Sequence, residues 1–171
     1  MKPQSANCWA VVPAAGTGSR MGADVPKQYL ELAGATVLEH SLRALLGCSQ
    51  VQGICVALHA QDNRAPSMPV FTDARIRTVT GAPQRSGSVL AGLEGLAGQA
   101  GERDWVLVHD AARPCVRAQD ITALVSAVTA SGVGGLLAEP VVDTVKRAGD
   151  DGRVECTLQR EGLWRAQTPQ M

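Results

Sequence analysis

The chain has 171 residues, of which 45% are hydrophobic and 3% aromatic, and its formal net charge at pH 7 is +0. This length predicts one domain, and this composition is sufficient for a buried core. The balanced charge gives no reason to expect binding to nucleic acid or to an anionic membrane surface, and the scarcity of aromatic side chains argues against platforms that stack single-stranded bases.

No apolar run is long enough to span a bilayer, and residues 1–7 lack the apolar core of a secretory signal. The chain holds five cysteines, an odd number, and no pair has the two-residue spacing of a zinc or redox motif. We therefore expect a cytoplasmic protein with free thiols and no membrane partner.

Strands and helices alternate along most of the chain. The apolar run 8–12 predicts a buried strand, and a glycine-rich loop follows it at 13–21. Thr36 and Glu39 have the spacing of a capping box, and the helical periodicity after them ends at Gly47. The later elements are predicted as strands at 51–58, 76–79, 105–109 and 133–138, and as helices with apolar faces at 89–96 and 118–130.

Strands that alternate with helices of roughly 10–15 residues predict an α/β fold, in which a mostly parallel, Rossmann-like sheet carries helices on both faces. Such sheets bind ligands beyond the carboxyl ends of their strands. The loop at 13–21 and Asp110 both directly follow predicted strands. Both are therefore expected at the ligand-binding edge of the sheet.

The loop 13–21 combines small residues with two nearby cations. Gly16 and Gly18 allow backbone N–H groups to approach an anion, and Arg20 and Lys27 supply positive charge for phosphate oxygens. The loop lacks the Lys-Ser/Thr pair of a P-loop and the small residue that ends a dinucleotide fingerprint. We interpret it as a triphosphate-binding loop; the alternative is a simple glycine-rich turn between a strand and a helix.

Asp110 ends the strand predicted at 105–109. A carboxylate there is suited to bind Mg²⁺ while leaving positions for water and phosphate. The alternative is a helix cap or a turn aspartate. Arg113 either pairs with Asp110 or faces the ligand, and His109 is expected to be a packing residue.

A turn at 81–84 leads into the helix that begins before Val89. The hydroxyl groups of Ser86 and Ser88 are expected to cap this helix. The alternative interpretation is that Ser88 and the backbone of the turn contact the edge of a nucleotide base.

Residues 142–147 and 154–158 alternate in polarity around an Asp-Asp-Gly turn, which predicts a β-hairpin. We expect this hairpin to project as an arm, at about 141–162 of a single domain spanning 1–171, and to pack on a second subunit in a homodimer. Its polar side chains, among them Thr144 and Arg160, are either solvated or hold an anionic co-substrate in the neighbouring subunit.

Several motifs occur together in chain order. They are PAAGTGSRM at 13–21, PKQY at 26–29, HDAARP at 109–114, DTVK at 143–146 and LWRAQTPQ at 163–170, besides Gly81, Arg85 and Ser88. Together they resemble the 2-C-methyl-D-erythritol 4-phosphate cytidylyltransferase family. Many sugar nucleotidyltransferases share the first loop, whereas the HDAARP and LWRAQTPQ motifs are much narrower signals.

This resemblance implies an enzyme of non-mevalonate isoprenoid synthesis, which joins CTP and methylerythritol phosphate and releases pyrophosphate. It implies Mg²⁺ as the cofactor, near Asp110, and Arg20 and Lys27 as the catalytic cations. The nucleotide-binding residues that it implies are Ala14, Ala15, Gly16, Gly18, Gly81, Arg85, Ser88, Asp110 and Ala111. The residues that it implies for the sugar phosphate are Arg113, Thr144 and Arg160.

Two features depart from the family. The turn usually reads Gly-Gly-acidic, whereas here Ala82 and Pro83 follow Gly81, and the missing N–H of proline predicts altered base selectivity or selectivity carried elsewhere. Family members also continue beyond residue 171, so we expect 163–170 to lack sheet neighbours. The remaining alternatives are a cytidylyltransferase for another polyol phosphate, such as ribitol phosphate, and a truncated, non-catalytic nucleotide-binding or dimerisation module.

Overall fold

The computed structural model of the chain describes residues 7–16 and 25–171. Its strands in chain order are β1 (Cys8–Ala14), β2 (Glu31–Leu32), β3 (Ala35–Thr36), β4 (Val51–Leu58), β5 (Ile76–Thr80), β6 (Trp105–Val108), β7 (Leu136–Pro140), β8 (Lys146–Ala148), β9 (Val154–Thr157) and β10 (Trp164–Gln170). Its helices are α1 (Val37–Leu46), α2 (Arg85–Gly95) and α3 (Ala118–Ser131).

A six-stranded sheet with the order β5-β4-β1-β6-β10-β7 forms the centre of the fold. Strand β1 pairs in parallel with β4 and with β6, and β4 pairs in parallel with β5. Only β10 runs antiparallel to its neighbours, which are β6 and β7. The predicted α/β fold with a mostly parallel sheet is therefore confirmed.

The two faces of the sheet bury different residues, because successive side chains of a strand point to opposite sides. On one face, Ala10 and Val12 of β1 belong to the large core that α1 and α3 complete. On the other face, Val11 of β1 and Cys55 of β4 form a smaller cluster with Leu96, just after α2. Helices thus cover both faces, as predicted.

Glycines bring α2 unusually close to the sheet. A Cβ atom added to Gly92 would lie 2.4 Å from Cγ1 of Val11, and one added to Gly95 would lie 2.8 Å from Sγ of Cys55. No real Cβ atom fits at such distances, so only glycine permits this spacing. The same approach places the first residues of α2 beside the carboxyl end of β1.

The capping box that begins α1 is confirmed. The N–H of Glu39 donates to Oγ1 of Thr36 at 3.2 Å, and the N–H of Thr36 donates to Oε2 of Glu39 at 2.9 Å. The helix ends at Gly47, as the sequence predicts. This reciprocal pair satisfies two of the N–H groups that a helix start leaves without partners.

Several boundaries differ from the prediction; for example, β1 continues to Ala14 and does not end at residue 12. Strand β7 begins at Leu136 rather than at residue 133, and the hairpin strands β8 and β9 are shorter than expected. The expectation that 163–170 lacks sheet neighbours is wrong, because β10 lies between β6 and β7. Alternating hydrophobicity could not reveal β10, since most of its side chains are polar.

All five cysteines are free thiols, as expected; Cys8, Cys48 and Cys55 are buried, and Cys115 and Cys156 are exposed. Among the residues described, no helix combines the length and the apolar character that crossing a bilayer requires.

The side chain of His109, which follows β6, is completely buried and links the end of β6 to β10 by hydrogen bonds. Its Nε2 lies 3.2 Å from the carbonyl oxygen of Arg113, which can only accept a hydrogen bond, so Nε2 carries the proton. Nδ1 then accepts from the hydroxyl of Thr168 at 3.0 Å, and Thr168 Oγ1 accepts from the N–H of Asp110 at 3.2 Å. His109 is therefore a packing residue, as predicted.

Burial lowers the pKa of His109, and its hydrogen bonds to Arg113 and Thr168 offset this effect only in part. The unfolded chain therefore binds a proton at His109 more readily than the folded chain does. We expect the free energy of unfolding to be highest above about pH 6.5 and to fall as the pH drops below it, by at most about 1.4 kcal/mol per pH unit. Urea unfolding between pH 5.5 and 8 measures this slope.

His109→Gln removes the titrating group and is expected to flatten the slope, even if it lowers stability at every pH. His59→Gln, at an exposed position, is the control and should keep the wild-type slope. A wild-type slope in His109→Gln would contradict this assignment.

Candidate functional site

The carboxyl ends of β1, β4 and β6 meet at one edge of the sheet, as parallel strands require. The loop after β1, the turn after β5 and Asp110 after β6 all lie at this edge. Two predicted site residues, Gly18 and Arg20, lie outside the described residues.

Gly81 brings the first loop and the turn into contact. Its N–H donates to the carbonyl oxygen of Leu58 at 2.7 Å. A Cβ atom on Gly81 would lie 2.6 Å from Cβ of Ala15 and 2.9 Å from Oγ of Ser88. Three residues that the sequence assigns to nucleotide binding, Ala15, Gly81 and Ser88, therefore lie together.

Ser88 holds the turn instead of capping the helix. Its buried Oγ accepts from the N–H of Ala82 at 3.0 Å and donates to the carbonyl oxygen of the same residue at 2.9 Å. The N-cap of α2 is Gln84, and no side-chain hydrogen bond caps the helix. The expectation that a serine hydroxyl caps this helix is therefore wrong.

These bonds leave few donors in the turn. The N–H of Gly81 is bonded to β4, the N–H of Ala82 is bonded to Ser88, and Pro83 has no N–H. In a hydrogen bond between the backbone of residues 81–83 and a nucleotide base, the base must therefore donate and a backbone carbonyl oxygen must accept. A base with an exocyclic amino group, such as cytosine, can donate to such acceptors.

Lys27 lies on a single turn of 3₁₀ helix, Lys27–Tyr29, whose other two residues are buried. The lysine itself is exposed, and its ammonium group forms no ion pair with any other residue in the described ranges. Nε2 of the buried Gln28 donates to the carbonyl oxygens of Ala14, at 3.0 Å, and Gly16, at 2.9 Å. The segment that carries Lys27 is thus tied directly to the first loop.

Tyr29 fixes the other side of this turn. Its hydroxyl is hydrogen-bonded to the Asp62 carboxylate, and the guanidinium carbon of Arg64 lies 5.7 Å from the centre of its ring. Burial, and then the bond to Asp62, raise the pKa of Tyr29 well above its usual value, so the phenol stays protonated. These residues line a cavity of about 250 Å³ together with Ala15, Gly16, Pro26, Gln28, His59, Gln61 and Asn63.

Asp110 forms ion pairs with two arginines at this edge. Its Oδ1 accepts from Nε of Arg85 at 3.0 Å, and its Oδ2 accepts from Nε of Arg113 at 3.1 Å. Arg113 also donates to Oε1 of Gln167. Of the two alternatives considered for Arg113, pairing with Asp110 is the one observed.

Partial burial would raise the pKa of the Asp110 carboxyl, but hydrogen bonds and opposite charge from Arg85 and then Arg113 outweigh it, and the pKa is lowered. Asp110 is therefore a carboxylate at neutral pH. Both arginine side chains are about half-exposed, at 52% and 43%. Ion pairs as exposed as these contribute little to stability, so their main effect is to orient the guanidinium groups.

A magnesium ion fits this edge only in one way. The described residues contain no group of three or more His, Cys, Asp or Glu side chains that could hold a metal. Mg²⁺ is commonly bound through one or two carboxylates together with substrate phosphates and water. The single Asp110 carboxylate fits that mode through Oδ2, which keeps a lone pair beyond its bond to Arg113, whereas Oδ1 lies 3.0 Å from Nε and 2.9 Å from Nη2 of Arg85.

Other predicted residues lie apart from this group. Ala111 is buried in the main core, and its carbonyl oxygen accepts from Oγ of Ser41 at 3.0 Å. Thr144 and Arg160 are exposed on the arm, where Arg160 donates to the carbonyl oxygen of Val142. Within the described ranges, no hydrogen bond or ion pair links either arm residue to Asp110.

Sequence reasoning missed Gln28 as part of this site. The only signal was its place in the PKQY motif, which drew attention to Lys27. A glutamine has no charge and no spacing rule that would predict two hydrogen bonds to a loop preceding it in the chain.

Comparisons with known proteins agree with this geometry. The family model for IspD, 2-C-methyl-D-erythritol 4-phosphate cytidylyltransferase, matches residues 8–171. A curated relative of that name from Ectopseudomonas mendocina is 49% identical over 168 residues, which are 98% of this chain and 72% of the relative. Another, from Pseudomonas putida, is 51% identical over 164 residues, which are 95% of this chain and 70% of the relative.

Solved structures show the same fold. The structure of a 4-diphosphocytidyl-2C-methyl-D-erythritol synthase superimposes with a TM-score of 0.82 at 36% identity, covering 98% of this chain and 74% of that one. The enzyme from Francisella tularensis gives 0.77 at 34% identity, covering 96% and 71%. With the loop after β1, the turn at 81–84 and Asp110 at one edge of this sheet, the chain belongs to the 2-C-methyl-D-erythritol 4-phosphate cytidylyltransferase family.

Proposed function

We propose that this chain binds CTP at the carboxyl edge of its sheet and transfers the cytidylyl group to 2-C-methyl-D-erythritol 4-phosphate, releasing pyrophosphate. The observation that carries the proposal is the convergence of Ala15, Gly81 and Ser88 beside the Lys27 segment. The family match favours methylerythritol phosphate over the other polyol phosphates considered above.

The reaction depends on cations that stabilise negative charge and does not need a general base. An oxygen of the sugar phosphate forms a bond to the α-phosphorus of CTP, and the bond from that phosphorus to the β-phosphate oxygen breaks. The attacking phosphate is already anionic near neutral pH, so no side chain has to remove a proton. The barrier is the approach of two anions, which positioning and fixed positive charge lower.

The residues have distinct parts in this proposal. Lys27, held by the buried Gln28, stabilises charge on the triphosphate, and Arg20 is proposed to act beside it. Asp110 would hold Mg²⁺ together with the phosphates; when bound, the ion neutralises developing negative charge. Thr144 and Arg160 are proposed to bind the sugar phosphate, together with Arg113, which is about half-exposed while it pairs with Asp110.

We also propose that the chain forms a homodimer through its arm. Four large apolar side chains on or next to the arm are exposed, namely Val142, Val154, Leu163 and Trp164. Exposed apolar groups that lie near one another are typical of protein interfaces. A second copy would cover them and bring Thr144 and Arg160 to a neighbouring sheet edge.

The first test supplies the chain with CTP, methylerythritol phosphate and Mg²⁺ and measures pyrophosphate and the cytidine diphosphate product. We expect product with methylerythritol phosphate, much less with ribitol phosphate, and none after EDTA removes the metal. Equal or faster turnover with ribitol phosphate would contradict the proposed acceptor.

Lys27→Ala should keep the fold, since Lys27 is exposed, and should lower kcat on the order of 10²–10³-fold, the typical effect of losing one group that stabilises transition-state charge. Arg103→Ala is the control, because it removes a cation from an exposed turn before β6, at the opposite edge of the sheet. Steady-state kinetics with CTP distinguishes the two variants; near-normal turnover in Lys27→Ala would exclude the role of this residue.

For the dimer, sedimentation equilibrium should show two copies for the wild type and one for Trp164→Asp. Val133→Asp is the matched control: Val133 is 69% exposed and Trp164 is 62% exposed, but Val133 lies in the turn after α3. A dimer that survives Trp164→Asp but not Val133→Asp would place the interface elsewhere.

A further inference from the structure

We infer that Gln28 is a positioning residue for the start of the triphosphate loop, because its side-chain amide fixes the direction of the peptide groups at Ala14 and Gly16. The inference rests on the proposed function in that it assumes a polyphosphate at this loop. It adds a residue whose part is to orient the loop, without requiring that it touch the nucleotide.

Both N–H groups of the Gln28 amide bind the start of the loop. Nε2 has two hydrogens, and it has two acceptors, the carbonyl oxygens of Ala14 at 3.0 Å and Gly16 at 2.9 Å. Gln28 is 5% exposed, so water cannot readily replace either bond. One side chain therefore holds the loop at two points that are two residues apart.

These bonds determine which groups face away from Gln28. In a trans peptide, the N–H of a residue points opposite to the carbonyl that precedes it. With the Ala14 carbonyl directed at Gln28, the N–H of Ala15 points to the other side. Carbonyl oxygens repel phosphate and N–H groups attract it, so turning the carbonyls inward makes the loop suitable for an anion.

The same side chain couples the loop to a cation. Lys27 is next to Gln28 on the same 3₁₀ turn, and Tyr29 anchors the far end of that turn through Asp62. A shift of residues 14–16 relative to the turn that carries Lys27 would therefore break the Gln28 bonds. A displacement of about 1 Å at a reacting centre can cost on the order of 10²-fold in rate.

Three variants test this inference. Gln28→Leu removes both N–H donors of the side chain and keeps a side chain of similar size. Gln28→Glu keeps the shape but presents a carboxylate, which has no donor at neutral pH and regains one when it is protonated. Gln61→Leu is the matched control, because Gln61 lines the same cavity but is exposed and makes no side-chain bond to the loop among the described residues.

Binding of inorganic tripolyphosphate, measured by calorimetry, reports on the loop independently of turnover. We expect wild type and Gln61→Leu to bind alike, and Gln28→Leu to bind about 10- to 100-fold more weakly, as when other orienting side chains are removed. In the transfer assay, kcat should fall in both Gln28 variants. The ratio of Gln28→Glu to wild-type activity should rise as the pH is lowered from 8 to 5.5, while the Gln28→Leu ratio stays flat.

Acid rescue ties the effect to the hydrogen bonds of residue 28 and not to the size of its side chain, tripolyphosphate affinity reports on the loop directly, and Gln28→Glu keeps the inference testable if Gln28→Leu does not fold. Equal tripolyphosphate affinity in Gln28→Leu and Gln61→Leu, with a flat ratio for Gln28→Glu, would overturn the inference. So would a wild type that binds no tripolyphosphate. If the wild type binds it and Gln28→Leu does not, but no cytidylyl transfer occurs, the proposed function fails while the positioning role stands.

Discussion

The close contact between α2 and the central strand sets the geometry of the candidate site. A Cβ atom on Gly92 would lie 2.4 Å from Cγ1 of Val11, so α2 packs directly on this side chain of β1 and has no room for one of its own. The turn that precedes α2 is thereby brought to the end of β1, where Gly81 meets Ala15. A larger residue at Gly92 or Gly81 is expected to move the turn at 81–84 away from the loop that follows β1.

Hydrogen bonds within the site serve mainly to orient other groups. Ser88 closes the turn, Gln28 closes the loop, and Asp110 directs two guanidinium groups. Ser88 and Gln28 are buried, and Asp110 is partly buried. Pre-organisation of this kind is what phosphoryl transfer needs, since the reacting phosphates supply the nucleophile and the leaving group themselves.

The predicted site divides into two groups in the structure. Most of the predicted nucleotide residues that the structure describes gather at one edge of the sheet, because parallel strands end together there, whereas Ala111 is buried in the main core. Thr144 and Arg160 are exposed on the arm, without a bond to that edge among the described residues. The proposed dimer offers a physical reason, since a residue that serves a neighbour's site has no need of contacts within its own chain.

Local sequence determined the elements whose signals are local. The capping box at Thr36, the apolar run of β1 and the helical period of α3 depend on residues a few positions apart, and each is found as predicted. The alternation of strands and helices predicted that the loop after β1 and Asp110 lie at the same edge, because the carboxyl ends of parallel strands meet at one edge of a sheet.

Only the tertiary structure decided the contacts between distant segments. Strand β10 lies beside β6 in the sheet although its side chains are mostly polar, because its backbone forms hydrogen bonds with two neighbouring strands. In addition, His109 accepts a hydrogen bond from the hydroxyl of Thr168. Likewise, Gln28 bonds to Ala14, which lies 14 positions before it in the chain, and to Gly16, which lies 12 positions before it. No periodicity or motif encodes such pairs, since they depend on where the completed fold places each backbone carbonyl.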